Sequence, residues 1–163
     1  MYINLSSKIF GEIFEIGSDE VPIFKNFING KWISTDKTID VISPINKKVV
    51  AKAYKLSKEE LLNVIEEIDT EKIRNFPGEK RLKCFEKCVE LLKESFDDFL
   101  NSLILNCGKP YLNANGEIKA TIERFEKAHL EVSFLSGNYI PGDWSEETLE
   151  TEGIVKKEPL ELV

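Results

Sequence analysis

A chain of 163 residues, 42% hydrophobic and 31% charged, is long enough for one ordinary domain with a core of useful size. Its formal net charge of −7 excludes a broadly basic face for nucleic acid, which binds by displacing counterions. The start, Met1-Tyr-Ile-Asn-Leu-Ser-Ser-Lys-Ile-Phe10, has neither the basic region nor the long apolar run of a signal peptide, and no stretch reaches transmembrane length, so the expected location is cytoplasmic and no membrane partner is expected.

The first 36 residues read as β-like or irregular. In Phe27-Ile-Asn-Gly-Lys-Trp-Ile33 an Asn-Gly pair sits between two short apolar runs. Both residues accept positive φ, so this is a tight hairpin. Asp40–Ile45 and Lys48–Ala53 predict two more strands around Asn46-Lys47, and the whole reads as a small antiparallel ribbon.

Helices follow. Ser57 and Glu60 have the spacing of a capping box, which starts a helix at Lys58 with Leu61, Leu62, Ile65 and Ile68 on one face. After Phe76-Pro77-Gly78, the spacing of Leu82, Phe85, Val89 and Leu92 defines a second amphipathic helix. Ser95 and Asp98 are the expected caps of a third, over residues 96–106, closed by Gly108 and Pro110. A single long helix is expected from about Asn113 to Leu135, with Ile118, Ile122, Phe125 and Val132 on one side and Gly137 closing it. The tail from Thr148 to Val163 alternates loosely and reads as one extended strand, with Pro159 marking an edge.

The reactive residues form no recognisable machinery. Cys84 and Cys88 lie one turn apart, but a zinc site wants four ligands, and only Cys107 and the single histidine, His129, remain. Three cysteines in no scaffold pattern fit a reducing compartment. Cys107 ends a helix, where the dipole disfavours the thiolate that a nucleophile needs. His129 has no nameable nucleophile or orienting partner. No Gly-x-Gly-x-x-Gly or phosphate-loop pattern is present. The expectation is therefore no catalytic, cofactor-binding or metal-binding residue in this chain.

Several short motifs recur in a familiar order: Ile-Asn-Gly-Lys-Trp at 28–32, Ser43-Pro44, the Pro77 helix start, Gly108-Lys109-Pro110, Gly116-Glu117-Ile118, Gly137-Asn-Tyr-Ile-Pro-Gly-Asp-Trp144 and Leu149-Glu-Thr-Glu-Gly-Ile-Val-Lys-Lys-Glu-Pro-Leu160. Together they resemble the N-terminal portion of the aldehyde dehydrogenase superfamily, and the wording of residues 138–158 is similar to archaeal non-phosphorylating, NADP-dependent glyceraldehyde-3-phosphate dehydrogenases.

That resemblance implies an α+β piece of a larger α/β fold: a helical body with peripheral antiparallel strands and a β-arm. Residues 1–136 would form the first part of the cofactor-binding domain, and residues 137–163 a bridging and oligomerisation arm that stops at the start of the cofactor-binding sheet. Family enzymes oxidise an aldehyde through a cysteine thioester, with hydride passing to NAD(P). The catalytic cysteine, glutamate and oxyanion asparagine come after the Glu158-Pro159 step and have no counterpart here. The resemblance therefore implies NADP or NAD for the complete enzyme, none bound by this chain, and no activity alone. Glyceraldehyde 3-phosphate is the implied substrate and 3-phosphoglycerate the product. Some members meet the substrate phosphate with an arginine at the position matched by Ala120, which leaves Lys119 and Arg124 as the available cations. A complementary C-terminal polypeptide or homologous subunit would join through the 148–160 arm. Glu161 stands where the family has glycine, which points to a frameshift, a decayed gene or a split gene. The alternative function is a non-catalytic interaction module that docks on a full-length homologue or a separately encoded remainder.

Overall fold

The computed structural model describes residues 2–69 and 71–158. The chain is α+β, with strands first, helices second and a ribbon last. Strands β1 (Phe14–Ile16) and β2 (Pro22–Phe24) join β5 (Thr38–Ile42) and β6 (Val49–Tyr54) in one sheet, ordered β1-β2-β6-β5. Its β1–β2 and β5–β6 pairs are antiparallel. The expected antiparallel pairing is present in the hairpin of residues 27–33 and in β5–β6, and the unexpected central β2–β6 pair is parallel. Parallel pairing needs a long crossover, and here residues 25–48 supply it, with the hairpin β3 (Asn26–Ile28) and β4 (Lys31–Ile33) inside it. That hairpin turns on Asn29 (φ 48°) and Gly30 (φ 80°), the positive pair that its sequence predicts.

β5 stops at Ile42 rather than running on to Ile45. Ser43 is fully buried and accepts Lys47 N–H through its carbonyl, closing a turn before β6.

Helix α1 (Lys58–Glu66) starts at the predicted capping box. Ser57 is extended (φ −71°, ψ 166°), its Oγ accepts Glu60 N–H at 3.2 Å, and the Glu60 carboxylate accepts Ser57 N–H at 2.7 Å. A short helix α2 (Glu71–Arg74) precedes α3 (Gly78–Glu94), which Pro77 opens as expected. Helix α4 (Phe96–Cys107) ends on Gly108 in the left-handed region (φ 66°). The long final helix is corrected to two, α5 (Tyr111–Glu126) and α6 (Ala128–Phe134), broken at Lys127 (φ −89°, ψ 3°). The break re-aims the chain so that Ala128 is buried and α6 lies against α3.

A second correction concerns the start of α4. Neither Ser95 nor Asp98 caps it. Helix α3 runs into α4 through Ser95 alone, which sits at φ −106°, ψ 22°, not in the extended conformation that lets a cap reach forward. Its hydroxyl is buried and has no partner. Asp98 is committed elsewhere, as described below.

The main core lies between α3, α4 and α5, where Val89, Leu100, Ala114, Ile118 and Ile122 are buried and Leu92, Phe96, Phe99 and Phe125 pack on them. A smaller cluster of Ile3, Val50 and Ala51 sits on the sheet, with Leu105 of α4 against it.

The tail is not one extended strand. Residues 142–151 form a looped turn, in which Thr148 Oγ1 donates to the Gly142 carbonyl at 2.7 Å. Among the described residues of the tail only Glu152–Val155 is a strand, β8, and it folds back antiparallel on β7 (Asn138–Pro141) of its own chain. A lone strand leaves its backbone groups unpaired, and this return satisfies one edge. Gly137, at φ 92°, makes the step from α6 into β7, and a side chain there would run into the Val155 carbonyl. The predicted edge at Pro159 and the change at Glu161 lie outside the described residues.

Candidate functional site

Helix α5 presents the two candidate substrate cations. Its buried face is Ala114, Ile118 and Ile122, spaced by one turn, which turns Lys119 and Arg124 outward and leaves both exposed. Five residues apart, they leave the helix about 140° from each other around its axis. The structure therefore does not bring them to one point. Ala120 is half-buried beside Lys119. Arg124 sits in the last turn, where a cation complements the helix dipole. Lys109 pairs with Glu117, tying the Gly108-Lys109-Pro110 step to the same helix.

All three cysteines are free and exposed. Cys84 and Cys88 lie on α3 and Cys107 is the last residue of α4. His129 stands on α6, its Nδ1 3.3 Å from the carbonyl of Glu126. Among the described residues no three His, Cys, Asp or Glu side chains form a group that could hold a metal ion. No described helix is long and apolar enough to cross a membrane.

Three open clefts indent the described surface. The largest, about 560 Å³, lies between the sheet and the start of α1 and is lined by Thr35, Lys37, Lys55 and Ser57. A second, about 340 Å³, is lined by Phe76, Gly78, Val132 and Leu135 between α3 and α6. The third, about 280 Å³, has Phe85, Val89, Phe125 and His129 around it. None of the three is lined by a cysteine, and the Ser57 and Glu60 side chains in the first are taken up in capping α1.

The glycines do not make a nucleotide cradle either. Gly108 is the one that precedes a long helix in a left-handed conformation, and the space beside it is filled by Pro44, whose Cγ would lie 2.8 Å from an added Cβ. Gly108 therefore leaves no open phosphate cradle ahead of α5.

What the surface offers instead is apolar area. Helix α1 has no buried residue, and its Leu61, Leu62 and Ile65 are exposed. Phe134 and Leu135 at the end of α6 are exposed too. In the ribbon Trp144 is 94% exposed and Ile154 69%.

Sequence reasoning missed the role of one residue, Asp98. It is buried, and it joins the first turn of α4 to the N-terminal segment: Oδ1 accepts Ser6 N–H at 2.9 Å and the Ser6 hydroxyl at 3.0 Å, and Oδ2 accepts Ser7 N–H at 2.8 Å. These partners are more than ninety residues away along the chain, a distance that no local pattern reports.

Comparison with known proteins places this scaffold. The model described as "Aldehyde dehydrogenase family" matches residues 32–163. The chain belongs to the aldehyde dehydrogenase family. It is 31% identical over 119 residues to a lactaldehyde dehydrogenase of Methanocaldococcus jannaschii, covering 72% of this chain and 26% of that one. The structure of aldehyde dehydrogenase 21 from Physcomitrella patens, in complex with the reaction product succinate, superposes with a TM-score of 0.71 at 28% identity, covering 82% of this chain and 28% of the other. An NADP-dependent glyceraldehyde-3-phosphate dehydrogenase from Bacillus halodurans, complexed with NADP, shares the fold with a TM-score of 0.69 at 24% identity, over 83% of this chain and 30% of that one. The chain spans about a quarter of the length of the M. jannaschii relative it matches.

Proposed function

We propose that this chain is the N-terminal scaffold of an NAD(P)-dependent aldehyde dehydrogenase acting on a short polar aldehyde, with glyceraldehyde 3-phosphate as the leading candidate, and that it turns over no aldehyde by itself. The observation that carries this reading is the family match over residues 32–163 on a structure in which the three clefts described above are lined by no cysteine. In the complete enzyme the substrate phosphate would be met by Lys119 or by Arg124, not by both, because they leave α5 in different directions. The ribbon, and the 148–160 arm that contains β8, would engage a homologous subunit or a complementary polypeptide, since its outer edges are unpaired.

Two assays separate the scaffold from the substrate. The purified chain is incubated with glyceraldehyde 3-phosphate, lactaldehyde or succinate semialdehyde and with NAD or NADP, before and after Cys107→Ala. No nicotinamide reduction above the blank is expected, and turnover that disappears in Cys107→Ala would overturn the scaffold reading. The chain is then fused to the remaining part of the M. jannaschii relative. A higher kcat/KM for glyceraldehyde 3-phosphate than for lactaldehyde is expected, and the reverse order removes the phosphate substrate while leaving the scaffold.

One observation favours the second reading, a docking module: α1 is amphipathic yet buries nothing. Mixing the chain with a full-length homologue discriminates. A stable complex that leaves the homologue's own activity unchanged supports the module.

A further inference from the structure

The N-terminal segment is held at three separate places. Ile3 N–H donates to the Val50 carbonyl of β6 at 2.9 Å, and the Ile3 side chain is buried with Val50 and Ala51. Ser6 and Ser7 wrap both oxygens of Asp98. Phe10, buried at the end of a short 3-10 turn, meets Phe99 of α4 edge-on with ring centroids 5.6 Å apart. The segment thus runs from the sheet to the first turn of α4. It lies ahead of the family-matched span, which begins at Trp32.

We propose that residues 3–10 are a strap latched by a single buckle, Asp98, and that opening the buckle frees the strap from α4 and the sheet while the α3–α4–α5 core stays folded. The three holds differ in kind. Phe10 makes an apolar ring contact that tolerates sliding, and Ile3 adds one backbone hydrogen bond to its apolar contacts. Asp98 makes the strongest of the three holds, because a carboxylate accepting two backbone N–H groups and a hydroxyl is charge-assisted, directional and buried. These hydrogen bonds end on Asp98 in the first turn of α4, and the buried core residues Val89, Leu100, Ala114, Ile118 and Ile122 make none of them.

The buckle also has a direction in pH. Burial pushes the Asp98 carboxyl up, but the Ser6 and Ser7 amides and the Ser6 hydroxyl together hold it below its ordinary value. A carboxyl whose folded pKa is depressed contributes stability that is present above its unfolded value, about 3.9, and is lost as pH falls through the folded value. The latch is therefore closed at neutral pH and opens only in strong acid. The charged groups sharing its cleft are Lys8 on the strap, Glu94 at the end of α3 and Asp97 beside it on α4.

The test uses the full chain and its Asp98→Asn and Asp98→Ala variants, with Asp97→Asn as the neighbouring control. Amide hydrogen exchange is read at Ser6 and Ser7, and trypsin cleavage is timed after Lys8, which is exposed. Loss of about tenfold in protection at both amides is expected in Asp98→Ala, with a smaller loss in Asp98→Asn, which keeps one acceptor oxygen. Cleavage after Lys8 should accelerate in parallel, while amides of α5 stay as protected as in the parent chain. Unchanged Ser6 and Ser7 protection in Asp98→Asn and Asp98→Ala overturns the buckle. Equal loss across α5 in Asp98→Asn overturns the separability of strap and core. If Asp98→Ala fails to fold, the Asp98→Asn comparison and an acid titration of the parent chain carry the same reading. Strap protection that falls together with α5 protection in acid would again refute it.

Discussion

The α3–α4–α5 core and the β7–β8 ribbon solve opposite problems within one chain. The core buries its own apolar stripe: Ile118 is 4% exposed and Ala114 fully enclosed. The ribbon buries almost nothing. Every residue of β7 is exposed, and in β8 only Gly153 is half-covered. An isolated two-stranded ribbon is marginal in water, so its geometry is held by local devices, Gly137 and the hydrogen bonds of Thr148. The difference teaches that one chain of this family holds a region stabilised by burial beside a region held mainly by backbone geometry and local hydrogen bonds.

The sharpest way to break that distinction is to damage the core. Ile118→Ala removes a buried side chain at the centre of the cluster and should cost about 3 kcal/mol through lost burial and a residual cavity. Denaturant melts followed by far-UV circular dichroism measure it. A loss under about 1 kcal/mol would show that α3, α4 and α5 do not form the folding unit.

How much of this was legible in the sequence follows the range of the forces involved. Short-range signals read correctly: Asn29-Gly30 as a hairpin turn, Ser57 and Glu60 as a capping box, Gly108 as a helix stop, and the stripe of Leu82, Phe85, Val89 and Leu92 as the inner face of α3. Each depends on residues within one or two turns. What did not read depends on distant partners. The parallel β2–β6 pair, the return of β8 onto β7 and the Ser6–Asp98 contacts join residues that nothing local connects. The α5–α6 break was hidden because Lys127 is a good helix former, and the packing of Ala128 overrode its propensity. For the candidate site, the exposure of Lys119 and Arg124 was readable from the buried stripe beside them.

The next test sharpens the ribbon side. Gly137→Ala places a Cβ against the Val155 carbonyl at a residue with φ 92°. The strain should cost about 1–2 kcal/mol, confined to the ribbon. Exchange at Tyr139 and Ile154 should rise severalfold while the helical signal and its melting midpoint hold. A matching drop in the global midpoint would mean that ribbon and core fold as one.

The smallest effects come from two serines that look alike in sequence. Each stands immediately before a helix with an acidic residue three positions later, Ser57 with Glu60 and Ser95 with Asp98. Ser57 is extended and its hydroxyl caps α1, so Ser57→Ala should destabilise that helix by about 1 kcal/mol. Because α1 buries nothing, the loss should appear as faster exchange within α1 and hardly at all in the global melt. Ser95 is 2% exposed, sits in a nearly helical conformation and caps nothing, and its hydroxyl has no partner. A buried hydroxyl without a partner has given up its water for nothing, so Ser95→Ala should leave stability unchanged or raise it by up to about 1 kcal/mol. Its effect, unlike that of Ser57, should register in the global melt, because Ser95 lies at the α3–α4 junction inside the helical core. A loss of about 1 kcal/mol in Ser95→Ala would show that its hydroxyl does reach an acceptor or a trapped water, and the contrast between the two serines would disappear.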